Sequence, residues 1–232
     1  MPEEFEPLVD GLVDIMPDHY VDANTIARTF EILGKPAAAE KLRIRIPETK
    51  KTRSGDIGEI LATDYIEEET EYSVPIRKLR YRDHRNMAMR GDDVIGILVS
   101  PQNQSLRFLK AEAKGNKGLS RAVLQKARVE LDSDQGKPTP HALSFIAERL
   151  RETGNSGLCD LIEKAQLVTG ISQNQVKHLL FTVTQSDPSS LQKEAFDNYI
   201  GIIPQISVGV RVDGHQELIE SVYQGVIDGL DD

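Results

Sequence analysis

The sequence predicts an α/β fold with a mixed central sheet, helices on its faces and a further helical segment at the N-terminus. Two consecutive apolar, strand-like runs lie near residues 94–99 and 106–114, and two more, at residues 176–184 and 206–212, alternate with helical patterns. This order is typical of a mixed sheet covered by helices. The chain has no G-x-G-x-x-G or Walker glycine loop, which disfavours a doubly wound dinucleotide-binding fold.

Residues 1–50 are predicted to form the helical segment. Apolar residues at helical spacing mark its first helix, up to Pro17: Phe5, Leu8, Val9, Leu12, Val13 and Met16. A second and a third helix follow, the second of them capped by Asp22 or Asn24. The polar stretch 48–53 is typical of a linker, so the main domain is predicted to comprise residues 51–232.

The main domain begins with a helix that Ser54 is expected to cap, and Glu59 lies beside its apolar stripe. That stripe comprises Ile57, Ile60, Leu61 and Tyr65. Residues 72–81 alternate well enough for a strand, but Pro75 has no N–H to donate, so an edge position or a bulge is expected. The two consecutive apolar runs come next.

The rest of the chain alternates between helical and strand patterns. Helices are predicted at residues 119–131, 140–152, 157–168, 189–199 and 216–230, and strands at residues 176–184 and 206–212. The helices at 140–152 and 157–168 are separated by a polar, glycine-containing turn.

Charge is distributed unevenly along the 232 residues. The net charge is −9, which by itself argues against a protein that coats nucleic acid. Basic residues nevertheless collect in three runs, at residues 41–53, 77–90 and 107–128, with few acids among them. Any single charge run is most often solvated surface, but three runs around one acidic constellation predict a local face that meets phosphates.

Cysteine content and hydropathy restrict the class of protein further. Cys159 is the only cysteine, which excludes intramolecular disulfides and thiolate-rich zinc sites. No apolar stretch has the length that a membrane helix needs. We therefore expect a cytoplasmic protein without a membrane partner.

Two acids and a lysine form the constellation that carries chemistry. Asp93 opens the first of the consecutive runs, and Glu112-Ala113-Lys114 closes the second. Side chains alternate faces along a strand, so Glu112 and Lys114 project from the same side. If the two runs are adjacent antiparallel strands, all three groups meet. Paired carboxylates hold a hard cation and an ammonium orients or activates water, which suits a magnesium-dependent phosphodiesterase.

These residues resemble the PD-(D/E)xK nuclease superfamily over residues 54–184. Asp93 matches the first acid of the motif, Glu112-Ala113-Lys114 matches its E-x-K, and Glu59 matches an additional acid that many members carry on the preceding helix. The resemblance implies a restriction-endonuclease-like core of one helix, a three-strand meander, a helix and a strand.

The residues of three segments resemble one family more closely: HamA, the nuclease subunit of the Hachiman anti-phage system, which works with a helicase. These segments are Gly58-Glu59, residues 90–96 and Glu112-Ala113-Lys114. Asp92 stands where members often have an apolar residue, which leaves open whether Asp92 or Asp93 faces the metal; we prefer Asp93, because apolar residues follow it. A Gln-x-x-x-Tyr of some relatives is only half present, since Val129 follows Gln125.

The resemblance implies roles for individual residues. Asp93, Glu112 and the carbonyl of Ala113 are expected to bind Mg²⁺, with Mn²⁺ as an alternative. Glu59 would support a second ion or a metal-bound water, and Lys114 would position the nucleophile. The candidate DNA contacts are Arg80, Arg82, Arg85 and Lys117. The implied function is a metal-dependent DNA nuclease of anti-phage defence that acts with a superfamily-two helicase.

Other interpretations remain open at the level of sequence. An isolated E-x-K is common, and Glu59 is almost as well explained as a partner for a surface arginine. A non-catalytic subunit on a nuclease scaffold could dock and regulate a helicase, although such a subunit has no use for Asp93, Glu112 and Lys114 together. A restriction-type endonuclease ranks lower, because no helix-turn-helix or zinc finger is present.

Overall fold

The computed structural model of the chain describes residues 6–231, and Phe5, which the sequence assigns to the first helix, lies outside them. Its central sheet has four strands in the order β1-β2-β3-β4. They are β1 (Val94–Val99), β2 (Leu106–Asn116), β3 (Val176–Thr184) and β4 (Gln205–Arg211). β1 and β2 are antiparallel, whereas β2, β3 and β4 are parallel. The predicted mixed sheet flanked by helices is confirmed.

Helices precede the sheet and alternate with its later strands. They are α1 (Glu6–Tyr20), α2 (Ala23–Leu33), α3 (Lys35–Arg43), α4 (Lys50–Glu69), α5 (Arg121–Asp132), α6 (Pro140–Glu152), α7 (Ser156–Lys164), α8 (Ser189–Asp197) and α9 (His215–Asp231). Each lies where the sequence predicts a helix, within a few residues at either end. Within residues 6–231, every helix is too short or too polar to cross a bilayer.

The predicted cap at Ser54 and the predicted linker over 48–53 are wrong. The helix starts one turn earlier, because the Thr49 side chain accepts a hydrogen bond from the Thr52 amide and caps α4 at Lys50. Ser54 lies inside α4 and donates its hydroxyl to the Gly115 carbonyl of β2 at 2.8 Å.

The predicted strand over 72–81 is also wrong. Only one antiparallel bridge forms there, between Ser73 and Ile97 of β1. Pro75 then interrupts the ladder, and the chain turns into a short 3₁₀ helix at Lys78–Tyr81. The basic side chains of this segment turn back onto α1, where Arg77 pairs with Asp18 at 2.6 Å. The three-strand meander expected from the resemblance is thereby reduced to two strands and a bridge.

The N-terminal helices share a core with the main domain. Leu12 and Met16 of α1 are buried in the same cluster as Ile57 of α4, Phe181 of β3 and Val222 of α9. Burial of large apolar side chains in a common cluster is the main favourable term that holds these elements together. The division of the chain at residue 50 stays a prediction.

Two glycines bring α4 unusually close to β2. A Cβ on Gly58 would lie 3.0 Å from the Gly115 amide nitrogen, and a Cβ on Gly115 would lie 1.9 Å from the Ser54 carbonyl oxygen. Neither contact leaves room for a side chain, since both neighbours are backbone atoms. The close approach places Glu59, next to Gly58, at the level of the Glu112-Ala113-Lys114 segment.

We expect Gly115→Ala to lower the free energy of unfolding by about 3 kcal/mol, at the upper end of typical overpacking costs. The added methyl group would force backbone against backbone. Gly118→Ala is the matched control, because a Cβ there meets nothing within 4 Å and its effect should stay within about 0.5 kcal/mol. Urea titration of both variants provides the measurement, and equal midpoints would contradict the close packing of α4 on β2.

Candidate active site

Asp93 lies immediately before β1 and is oriented by β2. One of its carboxylate oxygens accepts a hydrogen bond from the Ala113 amide at 3.0 Å. Val94 pairs with Ala111 in the antiparallel register, so the residue before Val94 lies beside Glu112. The Asp93 side chain is 29% exposed and can be reached from solvent.

Glu112 and Lys114 project from the same face of β2, and both meet Asp93. The Lys114 ammonium forms an ion pair with Glu112 and lies 3.9 Å from Asp93 Oδ2. Burial raises the pKa of Glu112 to about 8, with a further increase from the Asp93 carboxylate, while Lys114 opposes the increase. The structure therefore brings the three residues to one point.

Glu59 approaches the same carboxylate from α4. Burial raises the pKa of Glu59 to about 8; the neighbouring Lys78 lowers it, and Asp93 and Asp56 raise it. Asp93 thus acts electrostatically on both glutamates. With its pKa raised in this way, Glu59 is mostly protonated at neutral pH in the metal-free chain, and a bound cation would favour its ionised form.

The donor set suits a hard cation. Asp93 and Glu112 offer adjacent carboxylate oxygens. Burial and the Asp93 carboxylate raise the pKa of Glu112, because they disfavour a second negative charge at this point. A divalent cation bound to both carboxylates would neutralise that repulsion. Glu59 does not converge with them into a compact three-ligand set. Within residues 6–231 such a set, with ligand atoms within 4.8 Å of one another, is formed by Cys159, Asp160 and Glu163 on α7.

Asp92 has a different environment from Asp93. It is buried and forms an ion pair with Lys110, with 3.3 Å between Lys110 Nζ and Asp92 Oδ1. Its other carboxylate oxygen accepts from the Thr139 amide at 2.7 Å. Because both oxygens of Asp92 are already engaged, the geometry favours Asp93 as the metal ligand.

Two lysines that sequence reasoning did not single out bind Asp92 and so hold the segment that carries Asp93. Lys110 donates to the Ser133 carbonyl and hydroxyl and to the Lys137 carbonyl, at 3.0–3.1 Å, in addition to pairing with Asp92. Lys78 donates to the Asp92 carbonyl at 2.8 Å. A lysine inside the apolar run of β2, two residues before Glu112, was the available signal, since lysine is almost never buried unless it is paired.

A buried polar network lies behind the site. The Tyr20 hydroxyl donates to Asp56 at 2.7 Å, and the Tyr20 and Tyr223 hydroxyl oxygens are also 2.7 Å apart. Arg82 donates to both oxygens of Asp56, at 2.8 and 2.5 Å. Burial raises the pKa of Asp56, while Arg82 and Tyr20 lower it. The network joins α1, α4 and α9 to the segment that leads to Asp93.

The four candidate DNA contacts lie in different environments. Arg80 pairs with Asp18 and Asp22 of the N-terminal helices, and Arg85 pairs with Glu48. Arg82 is buried against Asp56, so a direct phosphate contact would require this pair to open. Lys117, just after β2, is exposed. Their role in DNA binding stays a prediction.

Asp93 and Glu59 border a cavity of about 860 Å³. It extends between the 3₁₀ segment, the loop before Asp93 and α6. Cationic and aromatic side chains line it together: Arg45, Lys78, Arg80, Arg90, Arg149, Tyr81 and Phe145. Its size is within the range of small-molecule binding sites.

We expect Glu112→Gln to stabilise the metal-free protein at pH 9. The pKa of Glu112 is raised in the folded chain from 4.5 to about 8, so the folded state binds the proton more tightly and stability is lost as pH rises through that window. Glutamine does not ionise and avoids this loss. In EDTA the melting temperature of the variant should exceed that of the wild type at pH 9 and converge with it toward pH 5.

Mg²⁺ should change the difference in melting temperature between the wild type and Glu112→Gln. It is expected to raise the melting temperature of the wild type and to leave that of Glu112→Gln unchanged, since the variant lacks one carboxylate ligand. Equal Mg²⁺ responses of the two proteins would contradict a metal site at Glu112.

Comparison with known proteins gives two matches. The family model described as HamA matches residues 2–226 of this chain. The Hachiman protein HamA of Bacillus cereus is 28% identical over 201 residues, which cover 85% of this chain and 70% of the relative.

Proposed function

Since the chain belongs to the HamA family, we propose that it is a metal-dependent nuclease of the Hachiman anti-phage defence system and cleaves DNA phosphodiester bonds. The observation that carries this proposal is the meeting of Asp93, Glu112 and Lys114 where β1 begins and β2 ends. The order α4-β1-β2-α5-β3 supports the assignment of a PD-(D/E)xK core.

The metal would be held by the carboxylates of Asp93 and Glu112 and by the carbonyl of Ala113. Mg²⁺ suits these oxygen donors, and Mn²⁺ is the alternative. When bound, it would supply Lewis-acid stabilisation of the charge on the scissile phosphate. Glu59 would orient a further ion or a water molecule at the side of Asp93 that faces α4.

Lys114 provides the cationic group beside these acids. Its ammonium would turn from Glu112 toward the attacking water and the non-bridging phosphate oxygens, where it steadies negative charge that grows in the transition state. The water oxygen forms the new bond to phosphorus, and the bond from phosphorus to the leaving oxygen breaks. The leaving oxygen takes up a proton, and the attacking water loses one to solvent, so the products are a phosphate monoester and a free hydroxyl.

A superfamily-two helicase is the proposed partner, and the cytoplasm is the proposed location. A net charge of −9 disfavours tight binding to DNA by the chain alone, so a partner that delivers DNA would complement it. An adjacent gene that encodes such a helicase would support this part of the proposal.

Incubation of the full-length chain with plasmid DNA tests the proposed activity. The helicase from the adjacent gene is included in parallel reactions, each with Mg²⁺ or with EDTA. We expect cleavage with Mg²⁺, no cleavage with EDTA, and unchanged cleavage by Lys193→Met, whose side chain lies on α8, outside the three basic runs, and pairs with Asp197. No cleavage with Mg²⁺ and helicase together would refute the proposed activity.

One observation favours a second candidate, a non-catalytic subunit that regulates the helicase. Arg80, Arg82 and Arg85 are all paired with acids of the chain itself, which leaves fewer cations for DNA. In that case the chain would bind the helicase and change its ATPase rate, and the same rate would be measured with Glu112→Gln.

A further inference from the structure

The cavity beside Asp93 has a size that selects among forms of DNA. Its volume of about 860 Å³ is enough for one or two unstacked nucleotides, whereas a double helix is too wide to enter it. Enzymes that act on nucleotides in such pockets take them from a single strand or from an opened duplex. Asp93 and Glu59 border the cavity, so an occupant would lie next to the proposed catalytic acids.

One wall of the cavity is suited to a planar base. The rings of Tyr81 and Phe145 meet edge to face, with centroids 5.6 Å apart and an interplanar angle of 84°. The Arg149 guanidinium lies 5.2 Å from the centroid of Tyr81 and 5.6 Å from that of Phe145. Aromatic rings and guanidinium planes are the groups on which unpaired bases stack.

Arg149 also carries a donor without an acceptor. Its Nε is buried and has no hydrogen-bond partner within the described part of the chain. A buried donor without a partner is costly, and the Arg149 guanidinium, which pairs with Glu152 at 2.6 Å, would shift to bring this Nε to the acceptor atoms of a bound ligand. The carbonyl oxygens and ring nitrogens of a base are such acceptors.

The same cavity offers cations for a phosphate. Arg90 is exposed and makes no hydrogen bond or ion pair with any residue between 6 and 231. Lys78 also lines the cavity, donates to the Asp92 carbonyl at 2.8 Å and acts electrostatically on Glu59. Arginine and lysine bind phosphate oxygens through charge-assisted hydrogen bonds.

We propose that this cavity binds one unpaired nucleotide of a DNA strand, with its base against Tyr81, Phe145 and Arg149 and its phosphate toward Lys78 and Arg90. This proposal rests on the proposed nuclease function and adds a preference for single-stranded or unwound DNA. The subsite places the backbone of the strand beside Asp93.

Fluorescence anisotropy with the full-length chain tests the subsite. In Ca²⁺, which provides a hard cation, four ligands are compared: a labelled ten-nucleotide single strand, its blunt duplex, the same strand with abasic central positions, and a mononucleotide as competitor. We expect the single strand to bind about tenfold more tightly than the duplex or the abasic strand, as stacking of a base predicts. The mononucleotide should not displace the strand at equal concentration.

Two variants distinguish the contribution of base stacking to binding from that of the phosphate contact. Phe145→Leu keeps an apolar side chain but loses the ring, so it should remove the tenfold preference and leave duplex binding unchanged. Arg90→Ala should weaken the single strand and the abasic strand by a similar factor, because both carry the phosphate, and should leave binding of the duplex unchanged. Lys193→Met, a change at a surface lysine outside both this cavity and the three basic runs, is the control and should match the wild type.

Each outcome of the binding test has a definite meaning. Equal affinities for the three DNA ligands, or no binding of any of them, would overturn the nucleotide subsite. Displacement by an equal concentration of mononucleotide would also overturn it, in favour of a free nucleotide as the ligand. Plasmid cleavage is measured on the same preparations with Mg²⁺ and the helicase added. Cleavage without base preference leaves the nuclease function standing, whereas base preference without cleavage rejects that function and keeps the subsite.

Discussion

Lys114→Met is expected to reduce Mg²⁺-dependent DNA cleavage by about 10³-fold. Removal of one preorganised donor to a developing negative charge costs about 10²–10³ in rate, and Lys114 is the cation that contacts both Asp93 and Glu112. Methionine keeps most of the apolar stem, so the loss should arise from the ammonium. Initial cleavage rates at saturating DNA provide the measurement.

A matched control distinguishes the loss of the Lys114 ammonium at the site from the general effect of removing one positive charge. Lys193→Met removes one ammonium from the surface of α8, where Lys193 pairs with Asp197 at 2.7 Å. It should cleave DNA at the wild-type rate. If Lys114→Met retains more than about a tenth of the wild-type rate, the role assigned to Lys114 is wrong, because a positioned catalytic group typically contributes at least 10²-fold.

Lys110→Met is expected to have the largest effect on stability, about 3–5 kcal/mol. Both side chains of the Lys110–Asp92 pair are almost fully buried, and removal of one partner leaves an uncompensated charge in the interior. The Ser133 and Lys137 carbonyls would also lose the hydrogen bonds that the Lys110 ammonium donates to them. Urea denaturation gives the free energy of unfolding.

The double variant Lys110→Met with Asp92→Asn tests this explanation. Neutralisation of both partners should recover part of the loss, since a buried pair replaced as a unit is often tolerated. The exposed Lys126 of α5 supplies the control, and Lys126→Met should change stability by less than about 0.5 kcal/mol. A loss below about 1 kcal/mol for Lys110→Met would show that the ion pair is not needed in the fold.

Local patterns predicted most of the fold. A continuous apolar, β-branched run located β3, and a helical pattern located α6, at their observed bounds, because β3 is buried almost throughout and α6 buries one face. The absence of a strand at 72–81 has one local cause and one that is distant in the sequence. The bridge at Ser73 ends because Pro75 follows and because Arg77 pairs with Asp18, which is distant in the sequence.

The site was predicted in part for the same reason. Strand alternation placed Glu112 and Lys114 on one face, and the antiparallel register brought Asp93 to them. Tertiary contacts that support them, such as the pairing of Lys110 with Asp92, join residues of different elements and have no local periodic signal. Membership of the HamA family is confirmed, while the catalytic roles stay predictions.

The hydroxyl-carboxylate-guanidinium network behind the site bears on how this protein can be trimmed. A fragment that starts at residue 51 would lose Tyr20, and Asp56 would keep Arg82 but lose its hydroxyl donor. It would also uncover the apolar faces of α4 and α9 that α1 now covers. Recombinant work on shortened versions should therefore begin upstream of α1, since excision of that helix invites aggregation.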